Sequence, residues 1–158
     1  FLAMRPRAGS QAILRQPGFT LVELLVAMAI LSILAVLAIP SYQAAIQKSR
    51  RTDAISALQN LHLAQERFRA NCSTYATSLD GTDLCDIGSS TFRVNVSAVS
   101  AEGYYAIAIL DGADGTGFVA TADASGSAQA ADACGTFAID QDGPKTDEGY
   151  AGERCWTR

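Results

Sequence analysis

Gly18-Phe19-Thr20-Leu21-Val22-Glu23 opens the stretch whose reading decides the fold, and the uncharged run from Leu24 to Ile39, closed by Pro40, completes it. Within that run nothing is more polar than Ser32. Together with Leu21 and Val22 it approaches the roughly 20 residues that span a bilayer core. A helix apolar on every side does not suit the surface of a water-soluble fold, so this one belongs in lipid or inside an assembly. Glu23 is the exception at its head. An unpaired carboxylate facing hydrocarbon costs roughly 3 kcal/mol, so Glu23 calls for a partner. Thr20 and Glu23 also fit Thr-x-x-Glu, a capping box that satisfies free amides at a helix start. The two roles are compatible.

Outward from this run, Pro40 removes a backbone donor and crowds the preceding turn, so a kink is expected there rather than a helix end. The pattern then changes. Ala44, Ala54, Ala57, Leu58, Leu61, Ala64 and Phe68 recur at spacings of three and four, while Gln47, Arg51, Gln59, Glu66 and Arg69 are polar. That is an amphipathic helix with one buried stripe, running to about Arg69 or Ala70. Residues 19–40 thus form an apolar half and residues 41–70 an amphipathic half of one helix. Residues 71–158 form a globular remainder.

Asn71 to Ser90 is rich in turn formers and reads as a loop. Phe92, Val94, Val96 and Ala98 alternate with polar residues, the mark of a half-buried strand. Tyr104–Leu110, Gly117–Ala122 and Thr136–Asp140 are three further strands, separated by Asp- and Gly-rich turns and by a small-residue loop from Asp123 to Ala133. A Gly- and Asp-rich tail runs from Thr146 to Trp156. Short connections favour antiparallel pairing. The expected class is α+β, a long helix covering a roughly four-stranded antiparallel sheet, since no other element can cover the sheet.

The chain has 158 residues, with 12 basic and 16 acidic side chains. Arg5, Arg7 and Arg15 all precede Phe19, and without them nine basic face sixteen acidic side chains. That balance disfavours nucleic acid as a partner overall, because phosphates attract basic surfaces. Lys48, Arg50 and Arg51 form the densest basic cluster and read as a collar just outside the membrane. The first 18 residues do not resemble a secretory signal, whose apolar part would precede its cleavage site. Met4 is a candidate start.

The only histidine, His62, sits mid-helix between Leu61 and Leu63 without a recognisable nucleophile, so a catalytic role is not assigned. Asp111, Asp114, Asp140 and Asp142 miss the spacing of a calcium loop and read first as turn residues. The four cysteines, Cys72, Cys85, Cys134 and Cys155, contain no Cys-x-x-Cys pair. They allow three disulfide pairings. A zinc site is disfavoured for want of a close ligand pair. No cofactor, metal or enzymatic activity is expected.

The Gly18–Glu23 motif, the apolar helix after it, Pro40 and Tyr42 closely resemble the N-terminus of type IV pilins and pseudopilins. Ser32 departs from the glycine many pilins carry there. The composite Cys134-Gly135-Thr136-Phe137-Ala138-Ile139-Asp140-Gln141-Asp142-Gly143, with Cys155-Trp156 later, resembles the C-terminal part of PilE-like minor pilins. The resemblance implies a leader over residues 1–18, cut by a prepilin peptidase between Gly18 and Phe19, and N-methylation of Phe19. It implies that Glu23 acts in assembly. It also implies a Cys134–Cys155 staple of the C-terminal loop, with Cys72–Cys85 closing the loop after the helix. The function implied is a structural, minor subunit of a bacterial type IV pilus. Its expected partners are other pilins, the peptidase, the inner-membrane assembly machinery and the membrane, with no nucleic acid. The globular part would be periplasmic before assembly and extracellular afterwards. The alternatives are a type II secretion pseudopilin and a DNA-uptake minor pilin.

Overall fold

The structure is a computed structural model that describes residues 18–79, 82–88, 91–110 and 116–157, apart from the side chain of Ala128. One helix dominates it: α1, Leu21–Cys72, is 52 residues long with Pro40 inside it. The chain divides into two compact units, residues 1–39 and residues 40–158.

In the first unit the described residues are the start of α1 and the three residues before it. Thr20 caps the helix, its Oγ1 accepting the Glu23 amide at 3.2 Å. Ser32 lies on unbroken helix and its hydroxyl donates to the Met28 carbonyl at 2.8 Å, so it brings no unmet polar group into the apolar run.

In the second unit, α1 buries Asp53, Ala54, Leu58, Leu61, Gln65, Phe68 and Cys72. Steps of three and four along that series draw one stripe down the helix. The expected stripe is confirmed at Ala54, Leu58, Leu61 and Phe68, while Ala57 and Ala64 are half-buried and Ala44 is exposed. The helix runs past Ala70 and ends at Cys72, where Ser73 turns the chain with φ 60°.

Two sheets follow. β1 (Ser78–Leu79), β2 (Leu84–Asp86) and β3 (Thr91–Val94) form the first, in the order β1-β3-β2, with β1 parallel to β3 and β2 antiparallel to it. β4 (Tyr105–Ile109), β5 (Val119–Ala124), β6 (Phe137–Asp140) and β7 (Gly143–Lys145) form the second, an antiparallel meander in chain order. Short helices α2 (Ser127–Ala130) and α3 (Glu153–Trp156) interrupt the expected loop and tail.

The four-stranded antiparallel sheet is as expected, but its membership is not. The strand expected over 92–98 shortens to β3 and joins the small sheet instead. Its continuation is diverted: the Asn95 amide donates to Asp83 Oδ1 at 2.7 Å, and the Val96 amide folds back onto the Val94 carbonyl at 2.9 Å. Only an isolated bridge, Val99 to Ala106, reaches the larger sheet. β7 takes the fourth place instead. Gly143, with φ 123°, makes the tight β6–β7 hairpin, a conformation other residues resist. Pro144 is tolerated because β7 is the edge strand and need not donate on its outer side.

The stripe of α1 and the inner faces of the strands share one core. Leu58 and Leu61 from the helix, Tyr75 and Val94 from the region after it, and Tyr105, Ile107, Ala120, Ala122, Phe137 and Ile139 from the meander are all buried in it. Phe137 packs edge-on against both Tyr105 and Trp156, at centroid distances of 6.0 and 5.6 Å.

Cys134 and Cys155 are joined, with Cα atoms 5.9 Å apart. The bond ties α3 to the turn before β6. The second expected pair is not joined: Cys72 and Cys85 are free thiols. Burial foremost, and then a hydrogen bond to Cys85, push the Cys72 thiol up to about 11. Cys72 therefore keeps its proton at neutral pH, and the protonated thiol is the unreactive form.

Candidate functional site

The candidate site is the N-terminal part of α1. Fourteen large apolar side chains between Phe19 and Ile39 are exposed in the isolated chain, Phe19 at 87 % and Leu37 at 72 %. Hiding each from water is worth about 1.5–3 kcal/mol, so together they favour a non-aqueous home by tens of kcal/mol. The helix is long and apolar enough to cross a membrane, with a mean hydropathy of 2.8 over its best window.

Gly18, Phe19 and Glu23 lie together at the head of this helix, all exposed. A Cβ added to Gly18 would meet nothing within 4 Å, so this fold itself makes no demand for glycine there. Glu23 lies one turn after the Thr20 cap, next to the end of the chain that a cut before Phe19 would create. Pro40 lies within the helix, and the four cysteines lie in the second unit.

The second unit docks its half of α1 through polar side chains that neither motif nor periodicity had singled out. Asp53 is buried and accepts from Ser100 Oγ at 2.6 Å and from the amides of Glu102 and Tyr104 at 3.2 and 3.4 Å. It holds the turn that leads into β4. Gln65, fully buried, grips the backbone of Ala76: its Nε2 donates to the Ala76 carbonyl at 2.9 Å and its Oε1 accepts the Ala76 amide at 2.8 Å. Gln129 of α2 donates to the Tyr105 hydroxyl at 2.8 Å and to Asp132 Oδ2 at 3.1 Å. Asp53 and Gln65 were legible in principle: both fall on the apolar stripe, where a polar residue has to be satisfied internally.

The expected basic collar is largely engaged inside the unit. Arg51 binds Asp132, and the Arg50 guanidinium lies over the Tyr104 ring at 4.4 Å. Lys48 is exposed. Burial alone would raise the Asp132 carboxyl, but Arg51 and the Cys134 amide outweigh it and hold it below the usual aspartate range. His62 is half-buried, with Nδ1 3.0 Å from the Asp140 carbonyl oxygen and its ring against Phe118, which makes it a link between helix and sheet. Asp140 Oδ1 accepts the Asp142 amide at 2.9 Å, the turn role expected of it. Asp111 and Asp114 lie outside the described residues.

A family described as "Type IV minor pilin ComP, DNA uptake sequence receptor" matches residues 40–138. A second, the prokaryotic N-terminal methylation motif, matches residues 13–39. Among individual relatives, a fimbrial protein of Moraxella nonliquefaciens is 36% identical over 73 residues, 44% of this chain and 47% of that protein. A fimbrial protein of Pseudomonas aeruginosa is 33% identical over 102 residues, 64% of each. The chain spans about half the length of the first of these relatives. A solved type IV pilin from Shewanella oneidensis aligns over 71% of this chain and 99% of its own, with 24% identity and a TM-score of 0.46.

Proposed function

The chain belongs to the type IV minor pilin family ComP, and from that premise we propose that it is a minor subunit seated in a pilus by its N-terminal helix. The observation that carries the proposal is the exposed, uncharged surface of α1 from Leu24 to Ile39, headed by the single carboxylate of Glu23. In this reading residues 1–18 are a leader removed by a prepilin peptidase, and Phe19 becomes an N-methylated terminus. The helix waits in the inner membrane with the globular unit on the periplasmic side. The residues 19–40, 41–70 and 71–158 then serve as core helix, docking helix and globular face.

Assembly trades lipid for neighbouring helices, so apolar burial alone is nearly neutral and gives no register. Glu23 supplies it by pairing with the Phe19 amine of an adjacent subunit, where low dielectric strengthens the attraction. Removing one partner of such a buried pair typically costs about 3–5 kcal/mol, because the other charge is stranded. The experiment compares Glu23→Ala and Glu23→Gln, measuring each variant's level in membranes and its incorporation into sheared pili. Both should reach the membrane and both should be depleted from pili. Glu23→Gln entering pili as well as wild type would leave Glu23 with a capping role only.

A second reading, reception of DNA at the cell surface, is favoured by the description of the matched family. The acidic balance of the whole chain argued against nucleic acid, but a local patch needs only a few cations. Lys48, Arg67, Arg69 and Arg154 are exposed on the second unit. Titrating duplex DNA into the purified protein at two salt concentrations tests it. Binding that weakens steeply with salt supports the reading, and none at low salt removes it.

A further inference from the structure

A cavity of about 590 Å³ in the second unit is lined by α1 and by the segment from Ala101 to Tyr104. Two charges on its walls are not answered by the fold. Arg50 is half-buried, and its guanidinium lies over the Tyr104 ring with no carboxylate paired to it among the described residues. Glu102 is exposed; its backbone amide is held by Asp53, but its carboxylate has no partner among the described residues. Asp53, in the same wall, is already taken up by Ser100 Oγ and the amides of Glu102 and Tyr104. Stacking on a ring holds a guanidinium by its face and leaves its edge free, and that edge donates paired hydrogen bonds to the oxygens of a phosphate or carboxylate. Ser49 and Thr52, both exposed, bring two further hydroxyls to the cavity.

One free cation and one free carboxylate around a single cavity fit a zwitterion. Its anionic end meets a guanidinium fork and two hydroxyls, more donors than one carboxylate uses well and a set suited to phosphate. The chain leads from the apolar run, ending at Ile39, into this cavity at Ile46, so an anchored chain carries the cavity near phospholipid headgroups. We propose that the cavity binds a phosphoethanolamine group, its phosphate on Arg50, Ser49 and Thr52 and its ammonium on Glu102. Choline in place of ethanolamine has no N–H to give Glu102, so phosphocholine binds less well. Two sources carry the group, a phospholipid headgroup and a soluble phosphodiester. The lipid source rests on the membrane seat proposed above; the site itself does not. A headgroup held there would tie the globular unit to the bilayer surface until the subunit leaves it.

The test titrates the full chain in dodecyl maltoside, following the backbone amide NMR signals of Ser49 to Ser56 and Ala101 to Tyr104. The probes are glycerophosphoethanolamine, glycerophosphocholine, inorganic phosphate and glycine. Glycerophosphoethanolamine should move these signals saturably and bind about ten-fold more tightly than the other three. Arg50→Gln should weaken it about ten-fold, and Arg50→Lys should restore only part, since a point charge lacks the fork. Glu102→Gln should leave glycerophosphocholine binding unchanged and erase the preference for ethanolamine. Signals from β5 and β6, which do not line the cavity, report that each variant is folded. Glycine or inorganic phosphate binding as tightly, wild-type affinity in Arg50→Gln, or no saturable binding would each overturn the proposal. Nanodiscs of phosphatidylcholine with and without phosphatidylethanolamine separate the sources. Signals that move only with phosphatidylethanolamine support the headgroup; unmoved signals, with glycerophosphoethanolamine still binding, overturn the lipid source. None of these readings needs a pilus, so failure here is distinct from failure of the pilus reading.

Discussion

Arg51 holds Asp132 through two hydrogen bonds, from Nε at 2.7 Å and from Nη2 at 2.5 Å, across 81 positions of sequence. The pair pins α1 to the segment between α2 and the disulfide at Cys134. Its carboxylate is almost completely buried while the guanidinium keeps some contact with solvent, at 3% and 21% side-chain exposure. Asp132→Ala strands the cation beside a buried surface and takes an acceptor from Gln129, and should cost about 2–3 kcal/mol, below the range for fully buried pairs. The folded-state pKa of Asp132 is depressed, so its contribution is present above the ordinary value of 3.8 and is lost as pH falls further. Acid titration of unfolding should show wild type and Asp132→Asn converging below about pH 3.8. Parallel curves down to the lowest pH would show that the pair carries no pH-linked stability.

Gln65 should be as costly to lose as a large core residue. Gln65→Leu keeps volume but leaves both the amide and the carbonyl of Ala76 without their partner in a buried position. Each stranded group costs about 1–3 kcal/mol, which totals roughly 2–5 kcal/mol. Thermal unfolding of the globular unit should fall by roughly 5–15 °C. A fall of a degree or less would mean that the loop after α1 re-forms its hydrogen bonds elsewhere.

How much of this was readable in advance depends on how local the signal is. The apolar helix, its Thr20 cap and the stripe through Leu58, Leu61 and Phe68 are local patterns, and all are found. β4, β5 and β6 alternate or run apolar over five or six residues and are also found, with edges displaced by one or two positions. The misplaced strand over 92–98 was misread because its alternation is real but its backbone is claimed by Asp83, ten or more residues upstream. β7 contains Gly143 and Pro144, both strand-averse, and exists because the hairpin presents it to β6. Asp53, Gln65 and Asp132 act through partners that only the folded chain brings near. At the head of the helix the motif around Gly18, Phe19 and Glu23 was legible because it is a short contiguous stretch.

Replacing Gly18 separates processing from folding. Nothing lies within 4 Å of the position a Cβ would take, so Gly18→Trp should not disturb the helix start or the globular unit. Its effect should be confined to recognition by the peptidase. Full-length precursor should accumulate in membranes, with the Cys134–Cys155 bond formed and thermal unfolding of the globular unit unchanged. Normal cleavage of Gly18→Trp would place the processing site elsewhere.

Processing at Gly18 and incorporation into a pilus as a minor component can be read from one sample. That sample is sheared, purified pili, analysed by intact mass and by subunit quantification. The expected species begins at N-methylated Phe19, carries the Cys134–Cys155 disulfide, and is present well below the most abundant pilin. Pili that lack the chain altogether, or that contain it with Arg15 still attached, would mean that it is not a processed pilus subunit.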